Sequence, residues 1–280
     1  PDVTNGYVGW RPSAGNLSNT SACSPLFVSG VYNGTQYSPS ERAAIPRFQV
    51  LATVMDGVDM HELSENRAWA VDMEHGKFIE RVQLACSRNP NMLVTIEHRH
   101  YAHRAERHIL VHNLSITNGC QDPVSLKLHG EWVGSSSGVQ MQLAPTSFGF
   151  TAMHGSTTAS EAPGVALVTV AVSASACDNE KLDIASGGSQ ERTFLQVVTT
   201  SLPDDRVQNR SVLDAAVSGL RHAIQSAESR QLEVTHDTAW DKLWEIGRVE
   251  IWGSVVGDGN EHIQELRQIV NSSMFQLLTS

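Results

Sequence analysis

The sequence predicts a mainly β protein: an antiparallel sandwich over residues 1–205, a helical linker over 206–260, and one more helix over 261–280. Three observations predict it. Short β-branched runs broken by Gly, Asn and Pro recur up to about residue 200. Helical spacing of apolar residues begins only after Leu202-Pro203-Asp204-Asp205. Across 280 residues, apolar types make up 40% and charged types 18%, enough to build a large core.

The runs follow in order. Phe48 to Val54 comes first, then Lys77 to Ala85, which alternates around Phe78, Arg81 and Gln83. Met92 to Glu97 and His108 to Ile116 follow, with Thr117-Asn118-Gly119 as a turn. Val124 to Trp132, Val139 to Leu143, Val165 to Ala174 and Thr193 to Thr200 complete the set. Ser211 and Asp214 then read as a capped helix start, with Leu213, Ala216, Val217, Leu220, Ile224 and Ala227 at helical spacing. A second helix carries Leu232, His236, Ala239, Trp240, Leu243 and Trp244 toward Gly247, a fitting helix end. Val249 to Gly253 reads as a short β piece. Ile263, Leu266, Val270, Met274, Leu277 and Leu278 form the last apolar stripe.

Charge and composition exclude several classes. A net charge of −10 argues against a nucleic-acid partner, which favours a basic surface. No run of about 18 apolar residues offers a membrane span. Cys23, Cys86, Cys120 and Cys177 are far apart with no C-x-x-C. They read as four buried thiols, or as two disulfides if the compartment is oxidising. Six N-glycosylation sequons, at Asn16, Asn19, Asn33, Asn113, Asn209 and Asn271, favour a secreted or lysosomal setting over a cytoplasmic one.

The chemistry-bearing residues are few. His98, His100, His103 and His108 cluster, and on a strand His98 and His100 share a face at the spacing of β-sheet zinc ligands. No adjacent Cys or carboxylate supplies a third ligand, so a solvated, Arg-rich strand end is preferred, with no metal and no cofactor expected. Glu131, beside Trp132 and near His129, has the right types for glycosidic acid/base work but reads as a surface charge next to a core aromatic. P-loop and dinucleotide motifs are absent, and Gly187-Gly188-Ser189 is read as a turn.

The opening VTNGYVGWR, the later SGVYNG, and the closing AWDKLWE and QELRQIVNSSMFQLL resemble, in that order, the N-terminal portion of glycoside hydrolase family 65. That family holds trehalose, kojibiose and maltose hydrolases and phosphorylases. The YAHR run and His108-Ile109-Leu110 resemble its animal branch. The resemblance implies a super-β-sandwich, a helical linker and, from 261, the first helix of an (α/α)6 barrel that would continue past Ser280. It further implies an inverting α-glucosidase acting on glucosyl-galactosyl-hydroxylysine of collagen through that barrel. The family's general acid sits in a Trp-Asp-x-(Glu/Asp) motif. Trp240-Asp241-Lys242-Leu243 departs from it, so no catalytic residue is assigned within 1–280 and this stretch alone is expected to be inactive. Arg11, Tyr32 and Asn33 become candidates for a domain interface or a substrate rim, and Trp240 and Trp244 for linker packing. The competing reading is a stand-alone carbohydrate-binding sandwich in which Trp10, Trp69 or Trp132 stacks on a sugar.

Overall fold

The structure, a computed structural model, describes residues 3–10, 25–34, 40–56, 67–134, 137–145, 149–162, 164–177, 180–205, 210–247, 249 and 259–279. Its strands are β1 (Val3–Thr4), β2 (Val8–Trp10), β3 (Phe27–Val28), β4 (Tyr32–Asn33), β5 (Glu41–Arg42), β6 (Arg47–Asp56), β7 (Arg67–Asp72) and β8 (Lys77–Ala85). They continue as β9 (Leu93–Ala102), β10 (Ile109–Asn118), β11 (Val124–Val133), β12 (Val139–Leu143), β13 (Phe150–Thr157), β14 (Thr169–Ser175), β15 (Lys181–Ile184) and β16 (Ser189–Thr200). The helices are α1 (Val212–Glu228), α2 (Gln231–Ile246) and α3 (Gly259–Thr279).

One eight-stranded antiparallel sheet, in the order β12-β13-β14-β16-β10-β9-β8-β7, organises everything else. Two small sheets, β15-β11-β6 and β1-β2-β3, cover its inner face. The inner side chains divide into two apolar clusters. Phe48, Val82, Leu84, Ile96, Leu114, Leu126 and Phe194 belong to one. Val8, Trp10, Leu26, Phe78, Ala102, Leu110 and Val172 belong to the other. Trp132 packs against both.

The outer face of the same sheet is also apolar, because α1 and α2 lie on it. Tyr101, Ile109, Val111, Leu195 and Val197 meet Leu220, Ala223 and Leu232 there. This explains why β10 reads as a nearly continuous buried run rather than a clean alternation. The start of α1 is as the sequence predicts: the Ser211 side chain accepts from the Asp214 N–H, satisfying one orphan donor of the first turn. Among the described residues no helix is long and apolar enough to cross a membrane.

The eight runs read from sequence each fall on a strand, within a few residues at the ends. Val165 to Ala174 is the loosest, since pairing begins only at Thr169 and both Val165 and Leu167 are exposed. Missed strands have identifiable reasons. Strand β7 is an edge strand whose Ala68, Trp69 and Ala70 are exposed, β13 carries Gly155 and polar neighbours, and β15 is four residues long. Val249 to Gly253 lies almost wholly outside the described residues. Gly187 does sit in a turn, at φ 67°. The four-thiol reading of the cysteines is corrected: Cys86 and Cys120 form a disulfide, while Cys177 is buried. Cys23 lies outside the described residues.

Candidate functional site

Two polar constructions interrupt the apolar layers. One holds α2 to the outer face of the sheet. Lys77, buried at the start of β8, reaches Glu233 Oε1 at 3.0 Å and Asp237 Oδ1 at 2.7 Å. His236 donates from Nε2 to the His75 carbonyl at 2.7 Å, and its Nδ1 accepts from the Arg104 backbone N–H at 3.1 Å. Those two bonds fix a neutral tautomer. Burial pushes its pKa down to about 3 against the pull of the bond to the His75 carbonyl, and the charges of His103 and Lys77 act in the same direction as burial. His103 Nε2 meets the Leu232 carbonyl at 2.8 Å, while its Nδ1 accepts from the Glu106 N–H.

The tryptophans read as linker packing sit in this seam. Trp240 is fully buried, stacked on Phe275 of α3 at 5.5 Å and faced by the Arg104 guanidinium at 5.6 Å. Its indole lies over Gly76, whose missing Cβ makes the approach possible. Trp244 donates to the Glu74 carbonyl at 2.9 Å.

The second construction lies on the inner face. In the row along β9, His98 and His100 follow Ile96 and precede Ala102, so they fall between the two apolar clusters. Register places His112 of β10 directly opposite His100, and Phe194 of β16 opposite His112. The three imidazoles form a stack: His100 and His112 at 4.2 Å, His98 and His112 at 5.2 Å between ring centroids. His98 Nδ1 and His112 Nε2 share a hydrogen bond of 2.9 Å. One ring nitrogen from each of the three lies within 4.8 Å of the others.

All three rings are held neutral. Burial takes His98 down to about 4, with Arg67 adding to the effect. Burial also takes His100 and His112 well below the ordinary range, reinforced by the other rings and by Arg47. Glu80, opposite His98 on β8, pairs with Arg67; burial raises its pKa against the pull of that cation. The reading of a solvated strand end is therefore wrong for His98 and His100. The Arg-rich flank that suggested it belongs to the other face, where Arg81 and Arg99 pair with Glu97. Neutral imidazoles in a water-poor layer can coordinate a metal ion or relay a proton.

The remaining sequence candidates scatter. Arg11, Asn16, Asn19 and Asn209 lie outside the described residues. Tyr32 pairs with Arg42 in the small β4–β5 ladder, far in sequence from the histidine layer. Asn33 Oδ1 accepts from the Thr158 hydroxyl and the Ala159 N–H, tying β4 to the loop after β13. Asn113 is buried in mid-strand, where a glycan has no room, whereas Asn271 is exposed on α3. Trp132 donates to Thr151 Oγ1 at 3.0 Å and packs edge-on against Phe48. Beside it, Glu131 has one buried carboxylate oxygen without a hydrogen-bond partner among the described residues. His112 was the histidine that sequence reasoning missed, and the available signal was its place in a run paired back on His98-x-His100.

A large antiparallel sandwich with helices on its outer face is a fold shared with a solved structure. The chain belongs to the family described as "Uncharacterized conserved protein (DUF2152)", whose model matches residues 42–263. A curated relative, the "Uncharacterized protein KIAA2013 homolog" of Xenopus laevis, is 24% identical over 225 residues, covering 78% of this chain and 35% of its own length. Among solved structures, a "Putative kojibiose phosphorylase from human microbiome" matches with a TM-score of 0.62 at 11% identity. That match covers 99% of this chain and 39% of the other. The chain thus spans little more than a third of either protein, and the structural likeness establishes the fold.

Proposed function

We propose that residues 1–280 are the sandwich and linker of an inverting α-glucoside-active enzyme, with the chemistry carried by an (α/α)6 barrel outside this stretch. The substrate favoured by the resemblance is glucosyl-galactosyl-hydroxylysine of collagen; a trehalose or kojibiose hydrolase or phosphorylase is the variant of the same reading. The observation that carries it is the likeness to the putative kojibiose phosphorylase over 99% of the chain, α3 included. The linker supports it, since Trp240 and Trp244 seat the helices rigidly on the sheet. So does α3, which turns Leu266 and Ile269 outward as a face for further helices. The Cys86–Cys120 bond fits a secreted or lysosomal compartment.

Inversion requires a general acid and a water-activating carboxylate about 6.5–9.5 Å apart on opposite sides of the sugar. In this reading the sandwich positions the barrel and supplies neither. The test uses the full-length protein with kojibiose, trehalose and glucosyl-galactosyl-hydroxylysine, following the anomer released by NMR. β-Glucose, or phosphate-dependent β-glucose 1-phosphate, supports the reading. No turnover of any of the three, or release of α-glucose, counts against it. Glucose release by 1–280 alone that vanishes in Glu131→Gln would move the chemistry into the sandwich.

One observation favours the stand-alone carbohydrate-binding reading: Trp69, on edge strand β7, is 57% exposed. Sugar titrations followed by tryptophan fluorescence, with Trp69→Ala as control, separate the two.

A further inference from the structure

We propose that His98, His100 and His112 form a three-imidazole site for a divalent transition-metal ion, zinc fitting best, that cross-links β9 to β10 inside the sandwich. Position is the first argument. Two ligands alternate on one strand and the third is the direct cross-strand partner of one of them, so the backbone register alone brings three imidazoles together. A tetrahedral ion bound at about 2.0–2.1 Å needs ligand nitrogens about 3.4 Å apart. Binding requires side-chain rotation to bring the present separation, within 4.8 Å, down to that value.

Hydrogen bonding is the second argument. Three imidazoles carry six ring nitrogens, and among the described residues their one hydrogen bond is that between His98 and His112. Four nitrogens are left without a protein hydrogen bond beside Phe78, Ile96, Leu114 and Phe194, and His100 keeps partial exposure. A layer serving only to fill the core is more cheaply built from apolar side chains. An ion takes up a lone pair from each ring, and burial already keeps the rings in the neutral form that ligation requires.

The donor set selects the ion. Imidazoles suit zinc, copper and nickel; calcium and magnesium need oxygen donors, and the nearest carboxylate, Glu80, is occupied by Arg67. Arg47 and Arg67 oppose added positive charge, so the affinity expected is below that of a thiolate zinc site.

The untagged chain is freed of metal with a chelator and titrated with Zn²⁺ and with Co²⁺. One ion per chain, an intense four-coordinate Co²⁺ absorption band, and binding weakened by roughly 100-fold or more in His100→Asn and in His112→Asn are expected. His129→Asn and His222→Asn, on exposed histidines, serve as controls and bind as the parent does. Should the cluster variants not fold, X-ray absorption on the zinc-loaded parent decides: three imidazoles per zinc support the site. Two or fewer imidazoles, substoichiometric uptake, or binding that survives both cluster variants overturns it.

Discussion

Gly76 is where the seam between the sheet and α2 can be broken with one methyl group. It sits in the β7–β8 turn at φ 63°, a left-handed conformation that costs an L-residue about 1–2 kcal/mol. An added Cβ would also lie 2.4 Å from Cζ2, 2.6 Å from Cε2 and 2.8 Å from Nε1 of Trp240. The indole cannot retreat, since it is fully buried between Arg104 and Phe275. Overpacking of that kind costs about 1–3 kcal/mol. Gly76→Ala is therefore expected to lose about 2–5 kcal/mol in urea unfolding followed by tryptophan fluorescence. Gly164→Ala isolates the backbone contribution, because its φ is 81° and nothing lies within 4 Å of the added carbon. Gly76→Ala combined with Trp240→Leu should recover part of the loss, the two sites being coupled through the contact. If Gly76→Ala is no worse than Gly164→Ala, the indole does not sit on this turn and the seating of α2 by Trp240 fails.

The disulfide, closing 34 residues of sequence, should stabilise by about 4 kcal/mol on the chain-entropy account. A Cys86→Ser, Cys120→Ser double variant with an unchanged melting temperature would contradict that pairing. His236 has a pKa lowered to about 3, so the unfolded chain binds its proton first as pH falls below about 6.5. Its stabilisation is intact above that pH and is lost toward pH 3, by up to about 1.4 kcal/mol per unit. The acid limb of a stability profile should flatten in His236→Gln, and an identical slope would refute the assignment. Phe275→Ala removes the ring stacked on Trp240 and should cost about 1–2 kcal/mol with a shift in tryptophan emission. No effect would mean that α3 does not dock.

How much of this was legible follows from range. Ser211 capping α1 is a matter of three residues, and the apolar runs of β9 and β10 are local too, so sequence finds them. His98 and His100 share a face by alternation alone. Their burial and their third partner do not follow from alternation. Both depend on the turn over 103–108, which sets the register and brings His112 opposite His100. The Arg-rich neighbourhood misled because Arg81, Arg99 and Glu97 point the other way, one residue out of phase with the histidines.

The disulfide has the same logic. Cys86 follows the end of β8 and Cys120 follows the end of β10, two strands that run in one direction with β9 antiparallel between them. Their ends meet at one edge of the sheet, about two strand spacings or 9.6 Å apart if the chain went straight. The curl of both connections over the start of β9 draws the Cα atoms to 5.7 Å. Sequence spacing cannot foresee that; the strand order is what brings the two ends to the same end of β9. The same three strands therefore carry the covalent clamp at one end and the histidine layer at mid-length. On their outer face they carry the seat of α2, through Lys77, Tyr101 and His103.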